Sequence, residues 1–196
     1  MPHKRFRSIK PEIRVLGVDD GVFIPHSKGL VDVVGIVFRG GYWLDGVMRT
    51  QIEVDGLDAT EKIALMIIES PHYKQLRVIM LSGITFAGFN VADIKELYNK
   101  TNLPVIALTR DPPKMEEIKQ ALENLPEKGK RWKAILNAGE IIEVQTREGE
   151  EPIYMQIAGL ERRDAEKIVR ITSTRSSIPE PLRVAHIIAS GLTKIH

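Results

Sequence analysis

A chain of 196 residues with a formal net charge of +2 and 43% apolar residues has the material for a substantial core and a well-solvated surface. It contains no cysteine, which excludes disulfides, thiolate zinc sites and cysteine nucleophiles. No apolar run reaches the roughly 20 residues of a membrane span, and the basic N-terminus is not followed by an apolar signal region, so the expectation is a cytoplasmic protein.

The opening "MPHKRFRSIK" holds Lys4, Arg5, Arg7 and Lys10 without an acid and reads as a basic arm over residues 1–12. The first strand, "RVLGVDDGV", ends in two adjacent carboxylates, Asp19 and Asp20. A second strand, "VDVVGIVFRGGYW", turns at Gly40-Gly41 and returns as a third, "YWLDGVMRTQIEV". Short connections make these three antiparallel neighbours. "DGLDATEKIALMIIES" is a helix with a capping-box-like start, Asp58 followed by Glu61, and Pro71 stops it.

"RVIMLSGITF" is a continuous apolar run, the mark of a strand covered on both faces. Asn90 is expected to cap a short helix through Tyr98, and "LPVIALT" is another buried strand. Asp111 caps a helix in "PPKMEEIKQALENL", with proline in its first turn, and "PEKGKRW" reads as a charged loop. "EIIEVQTREGEEPIYMQIAG" is a two-stranded excursion turning at Glu148-Gly149. Two helices, "ERRDAEKIVRITST" and "PEPLRVAHIIASGL", complete the chain. No repeat or interior linker divides it, so residues 1–196 read as a single domain of α/β class.

An apolar strand ending in two acids suits a metal site, because nuclease-type centres gather carboxylates from several elements around Mg2+. Strand side chains alternate faces, so Asp19 and Asp20 share an ion only if Gly21 turns the chain at once; Asp19 is the favoured metal-facing member. Capping alone accounts for Asp58 and Glu61. Ser82, Gly83 and Gly88 place small residues after a buried strand, where either a phosphate could approach or the loop simply packs on Phe86 and Phe89. Arg163 and Arg183 belong to a basic C-terminal set that, with Arg5 and Arg7, suits phosphate contacts.

Residues 151–189, with "IPEPLRVAHIIA", resemble the C-terminal part of endonuclease V, and "LGVDDG" and "LPVIALTR" resemble two of its strands. The whole pattern, with "DGLDAT" and "LSGITFAGFN", looks closer to an uncharacterised, mainly archaeal endonuclease V-like family. That resemblance implies an RNase H-like mixed sheet, three antiparallel strands followed by parallel ones, with helices on both faces. It implies Asp19 as first-strand metal aspartate and His186 as the histidine near the metal. Asp58 and Glu61 share the place of the family glutamate, and Arg110 stands where the family has lysine. Ser82 occupies the place of the fourth-strand aspartate, and the family's aromatic–proline wedge is not recognisable.

The expected function is therefore an endonuclease V-like nucleic-acid-processing protein acting on DNA or RNA. Its mechanism would be Mg2+- or Mn2+-dependent phosphodiester hydrolysis. Asp19, Arg110 and His186 would be catalytic; Asp19, Asp20, Asp58 and Glu61 would hold metal; Arg5, Arg7, Ser82, Gly83, Arg163 and Arg183 would hold nucleic acid. The alternative is a catalytically inactive nucleic-acid-binding module on the same fold. A third reading makes the Ser82–Gly88 loop an anion cradle in a small-molecule enzyme.

Overall fold

The computed structural model describes residues 6–25 and 27–192. Seven strands form the main sheet: β1 (Arg14–Asp20), β2 (Leu30–Arg39), β3 (Trp43–Glu53), β4 (Val78–Ser82), β7 (Val105–Thr109), β8 (Ile142–Val144) and β9 (Ile153–Ala158), with β5 (Thr85–Phe86) and β6 (Asn90–Val91) as a separate small hairpin. The spatial order is β3-β2-β1-β4-β7-β9-β8. β1, β2 and β3 are successive antiparallel neighbours; β4 lies parallel to β1, and β7 parallel to β4. β9 pairs antiparallel with β7, so the excursion at Glu148-Gly149 adds two strands to the main sheet.

Alternation along the strands builds two cores. Leu16, Val18, Ile79, Leu81, Val105 and Ala107 face α1 (Ala59–Ile68) and α2 (Ile94–Thr101). Val15, Val78, Met80, Ile106 and Leu108 face α5 (Arg162–Thr172) and α6 (Glu180–Leu192). Both sides of the sheet are thus covered, which is why its central strands read as unbroken apolar runs. The chain leaves β1 towards β2 and returns to its other side as β4, creating a switch point at the C-terminal ends of β1 and β4 where open sheets take ligands.

Three local readings are corrected. Asn90 does not cap α2; Asp93 does, accepting from the amides of Lys95 and Glu96. Asn90 is buried on β6 and its side-chain oxygen accepts from Ala59 N at 2.9 Å, capping α1 across 31 residues of sequence. Pro112 and Pro113 precede α3 (Met115–Leu122) instead of opening it, and Lys114 holds the cap position. The charged "PEKGKRW" stretch runs into a helix, α4 (Lys128–Asn137). Its register is set by Arg131, which is 2% exposed and donates to the carbonyls of Asp55, Gly56, Phe89 and Pro126. A charged residue thus occupies the inward position where an apolar one would have marked the helix period.

The approach of α6 to β1 is the closest packing that bears on function. A Cβ at Gly17 would collide with the backbone carbonyl group of Pro181. We expect Gly17→Ala to destabilise the protein by about 1–3 kcal/mol through overpacking, measured as a fall in urea midpoint at unchanged slope. A neutral result would mean that α6 can retreat without cost.

Candidate active site

Asp19 lies at the end of β1 and Ser82 at the end of β4. The register that pairs Val18 with Leu81 sets these two residues side by side on the α6 face. Asp19 is 5% exposed. Its Oδ1 accepts from the Asp20 amide at 3.0 Å, and its Oδ2 lies 3.0 Å from Nδ1 of His186 on α6. Burial pushes the Asp19 carboxyl above its ordinary pKa, and the Asp20 amide, His186 and the Ser82 hydroxyl pull it back. The His186 ring remains largely open to solvent.

Asp19, Ser82, Gly83, Arg110, Arg183 and His186 line one open cleft of about 510 Å³. Six of the residues selected in the sequence therefore meet at the C-terminal edge of the parallel strands. Arg110 follows β7 directly, and Arg183 and His186 lie one turn apart on α6. Sharing Gly83, Thr85 and Thr109 with this cleft is a second, apolar cavity of about 200 Å³, roofed by Met115 and Ile118 of α3 and Ile135 of α4. Sequence reasoning missed that cavity, because its roof needs α4 in place.

The other acids are engaged elsewhere. Asp20 points to the opposite face, where its Oδ2 accepts from Ala87 N at 2.6 Å. Ala87 has a positive φ, and this bond fixes the β5–β6 hairpin. Asp58 accepts from Glu53 N and from the Asn90 side chain, and makes no side-chain cap to α1. Glu61 pairs with Lys100 at 2.6 Å. The expected four-carboxylate set is thus not gathered: among the described residues no group of three or more His, Asp or Glu is placed to hold a metal ion. The physical reason is alternation for Asp20 and competing local partners for Asp58 and Glu61.

Arg7 and Arg163 are exposed and do not line the cleft. β9 ends with Ala158 opposite Val105, the first residue of β7, so α5 and Arg163 begin at the far edge of the sheet. Phe6 N donates to Asp164 there, which brings Arg7 to the same end. Arg5 lies outside the described residues. None of the described helices is long and apolar enough to cross a membrane.

The fold is of the endonuclease V-like class, on an RNase H-like architecture. The family model described as Endonuclease dU matches residues 11–193, and the chain belongs to that family. It is 57% identical over 194 residues to a UPF0215 protein of Methanothermobacter thermautotrophicus, covering 98% of this chain and 94% of that one. It is 43% identical to a UPF0215 protein of Pyrococcus furiosus, with 96% of each chain covered. A structure of a protein of unknown function from Archaeoglobus fulgidus superposes with a TM-score of 0.83 at 40% identity, over 93% of this chain and 99% of that one. Endonuclease V of Bacillus subtilis matches in fold, with a TM-score of 0.62 at 12% identity over 95% of this chain and 84% of its own. Endonuclease V of Ciona intestinalis, bound to DNA containing inosine, matches with a TM-score of 0.56 at 16% identity over 88% of this chain and 82% of its own.

Asp20 gives a stability prediction. Burial, together with the neighbouring Asp19 charge, raises its carboxyl from 3.8 to about 6 against the bond from Ala87 N. A raised carboxyl favours the protonated fold, so this contribution is complete below pH 4 and is lost as pH rises through 6. Asp20→Asn keeps an acceptor for Ala87 and removes the charge. We expect it to stabilise the protein by about 1–3 kcal/mol at pH 8, with no gain below pH 4, in paired denaturant titrations. A loss of stability at pH 8 would show that the charge itself is needed.

Proposed function

We propose that the protein is an endonuclease that hydrolyses a phosphodiester bond in nucleic acid at the Asp19–His186 cleft, with deoxyuridine in DNA as the recognised base. The observation that carries this reading is the nearly buried Asp19 carboxylate, held by His186 and opening into a cleft with Arg110 and Arg183. The base is taken from the description of the family, Endonuclease dU. The apolar cavity beside the cleft supports it, since 200 Å³ is below the range of drug-sized pockets and suits a single unstacked ring system.

The donors in the cleft are one carboxylate, one imidazole and the hydroxyls of Ser82, Thr85 and Thr109, with Ser82 the one beside Asp19. Such a set fits a hard cation whose shell is completed by water and by the substrate's own phosphate, as Mg2+ sites commonly are. Asp19 would hold the Mg2+ or Mn2+ ion, with His186 and Ser82 beside it. When bound, the ion would polarise a phosphoryl oxygen and ease ionisation of water.

The chain's own residues account for the remaining steps. Arg110 offsets charge that develops on the oxygens of the reacting phosphate, and Arg183 binds backbone phosphate. As a water oxygen bonds to phosphorus and one ester P–O bond breaks, the departing oxygen must gain a proton. His186, fixed through Nδ1 by Asp19, presents its other ring nitrogen for that transfer.

The test is cleavage of oligonucleotides carrying one deoxyuridine, one inosine or no altered base, as DNA and RNA, with Mg2+, Mn2+ or chelator. We expect metal-dependent cleavage of the deoxyuridine strand, lost in Asp19→Asn while binding persists, and a fall of about 10²–10⁴-fold in His186→Ala. Undiminished cleavage by Asp19→Asn would sink the assignment. The placement of Ser82 beside a lone carboxylate favours one rival, a binding module without turnover. Tight binding with no cleavage under any metal would establish it.

A further inference from the structure

Arg183 is presented to the cleft by a buried acid. Glu180, in the first turn of α6, is 2% exposed. Both its oxygens are occupied by one guanidinium: Arg183 Nε donates to Oε1 at 3.0 Å and Nη2 to Oε2 at 2.8 Å. Pairs spaced three residues apart on exposed helix faces are common and weak. This one differs, because a carboxylate withdrawn from water is costly unless its partner meets it with good geometry. Glu180 therefore sits inside only while Arg183 is held in plane against it.

About a third of the Arg183 side chain stays exposed, and it lines the same cleft as Asp19, Arg110 and His186. A guanidinium has five N–H donors in a fixed plane, and the fork to Glu180 uses Nε and one proton of Nη2. The Nη1 edge is the one left for a second, acceptor-rich partner. Arg183 lies three residues before His186, about 4.5 Å along the helix axis, so a group bound there lies within one nucleotide of the proton-transfer site.

We propose that Glu180 is a positioning residue that aims Arg183 as a planar, two-pronged clamp on a backbone phosphate next to the cleaved bond. This inference rests on the nucleic-acid reading above and adds a requirement of geometry to one of charge. Lysine at position 183 would keep the charge and lose the fork. The decisive variant is Glu180→Gln. It removes a negative charge from beside the clamp, so attraction alone predicts tighter binding; positioning predicts weaker binding.

The experiment measures affinity for a fluorescent single-stranded oligonucleotide by anisotropy across a salt series, in chelator to stop turnover. Cleavage kinetics and melting temperature are followed in parallel. We expect Arg183→Lys and Glu180→Gln each to weaken binding about tenfold, the scale of one lost charge-assisted phosphate contact. KM should rise with kcat little changed. Glu180→Asp, which shortens the fork, serves if the Gln variant fails to fold, with the same expected loss. Arg183→Lys binding like wild type would overturn the proposal. So would Glu180→Gln binding equally or more tightly, or a lower melting temperature at unchanged affinity, which would make the pair a helix staple only. Wild-type protein that binds no oligonucleotide would overturn both this inference and the function proposed above, whereas wild-type binding with indifferent variants overturns this inference alone.

Discussion

The seating of α6 on β1 is the constraint on which the candidate site depends. Gly17, two residues before Asp19, leaves room for the Pro181 backbone, and α6 crosses the strand at near-backbone contact. That approach brings His186 within 3.0 Å of Asp19 and carries Glu180 into the interior. One missing side chain in β1 thus sets the position of two polar residues on a helix more than 160 residues later in the sequence. The expected cost of filling the gap is modest for stability, but its effect on the Asp19–His186 distance would be direct.

The adjacent acids at the end of β1 perform different tasks because a strand alternates. Asp19 turns towards α6 and the cleft; Asp20 turns towards the hairpin and holds Ala87 N. The two functions are mechanically linked, since that hairpin follows Ser82 and Gly83, which line the cleft. Arg131 braces the same region from α4 by donating to Phe89, and Asp55 accepts from the Phe89 amide. The cleft wall is consequently fixed by side chains that reach it from β1, from the loop after β3 and from α4.

Much of this was legible in the sequence, and the reasons differ by residue. Asp19, Ser82 and Arg110 follow apolar runs, so their location at strand ends could be read from hydrophobic pattern. Arg183 was reached through the basic C-terminal set, and His186 through the resemblance of "PEPLRVAHIIA", a local motif that survives without knowledge of packing. Asp58 and Glu61, expected as metal acids, are engaged by Asn90 and Lys100 from distant segments, of which sequence spacing says nothing. Asn90 and Arg131 show the same limit: each satisfies backbone groups far along the chain, and tertiary partners override the local cues. Glu180 was overlooked because an acid at a helix start reads as a solvated first-turn residue.

The balance of charge in the cleft suits the polyanion that the proposed function requires. Its acids are withdrawn: Asp19 and Glu180 are 5% and 2% exposed. Its arginines are outward, with Arg110 exposed and Arg183 partly so, and the His186 ring is open to solvent beside them. The field at the opening is therefore positive even though charges of both signs are present, because buried acids are met by their own partners before solvent or substrate is reached. A site crowded with acids must recruit metal before it can tolerate a phosphate. Here Ser82 stands beside Asp19, so the phosphate that the proposed function requires meets two arginines and one partnered acid, without the repulsion that a second carboxylate would add.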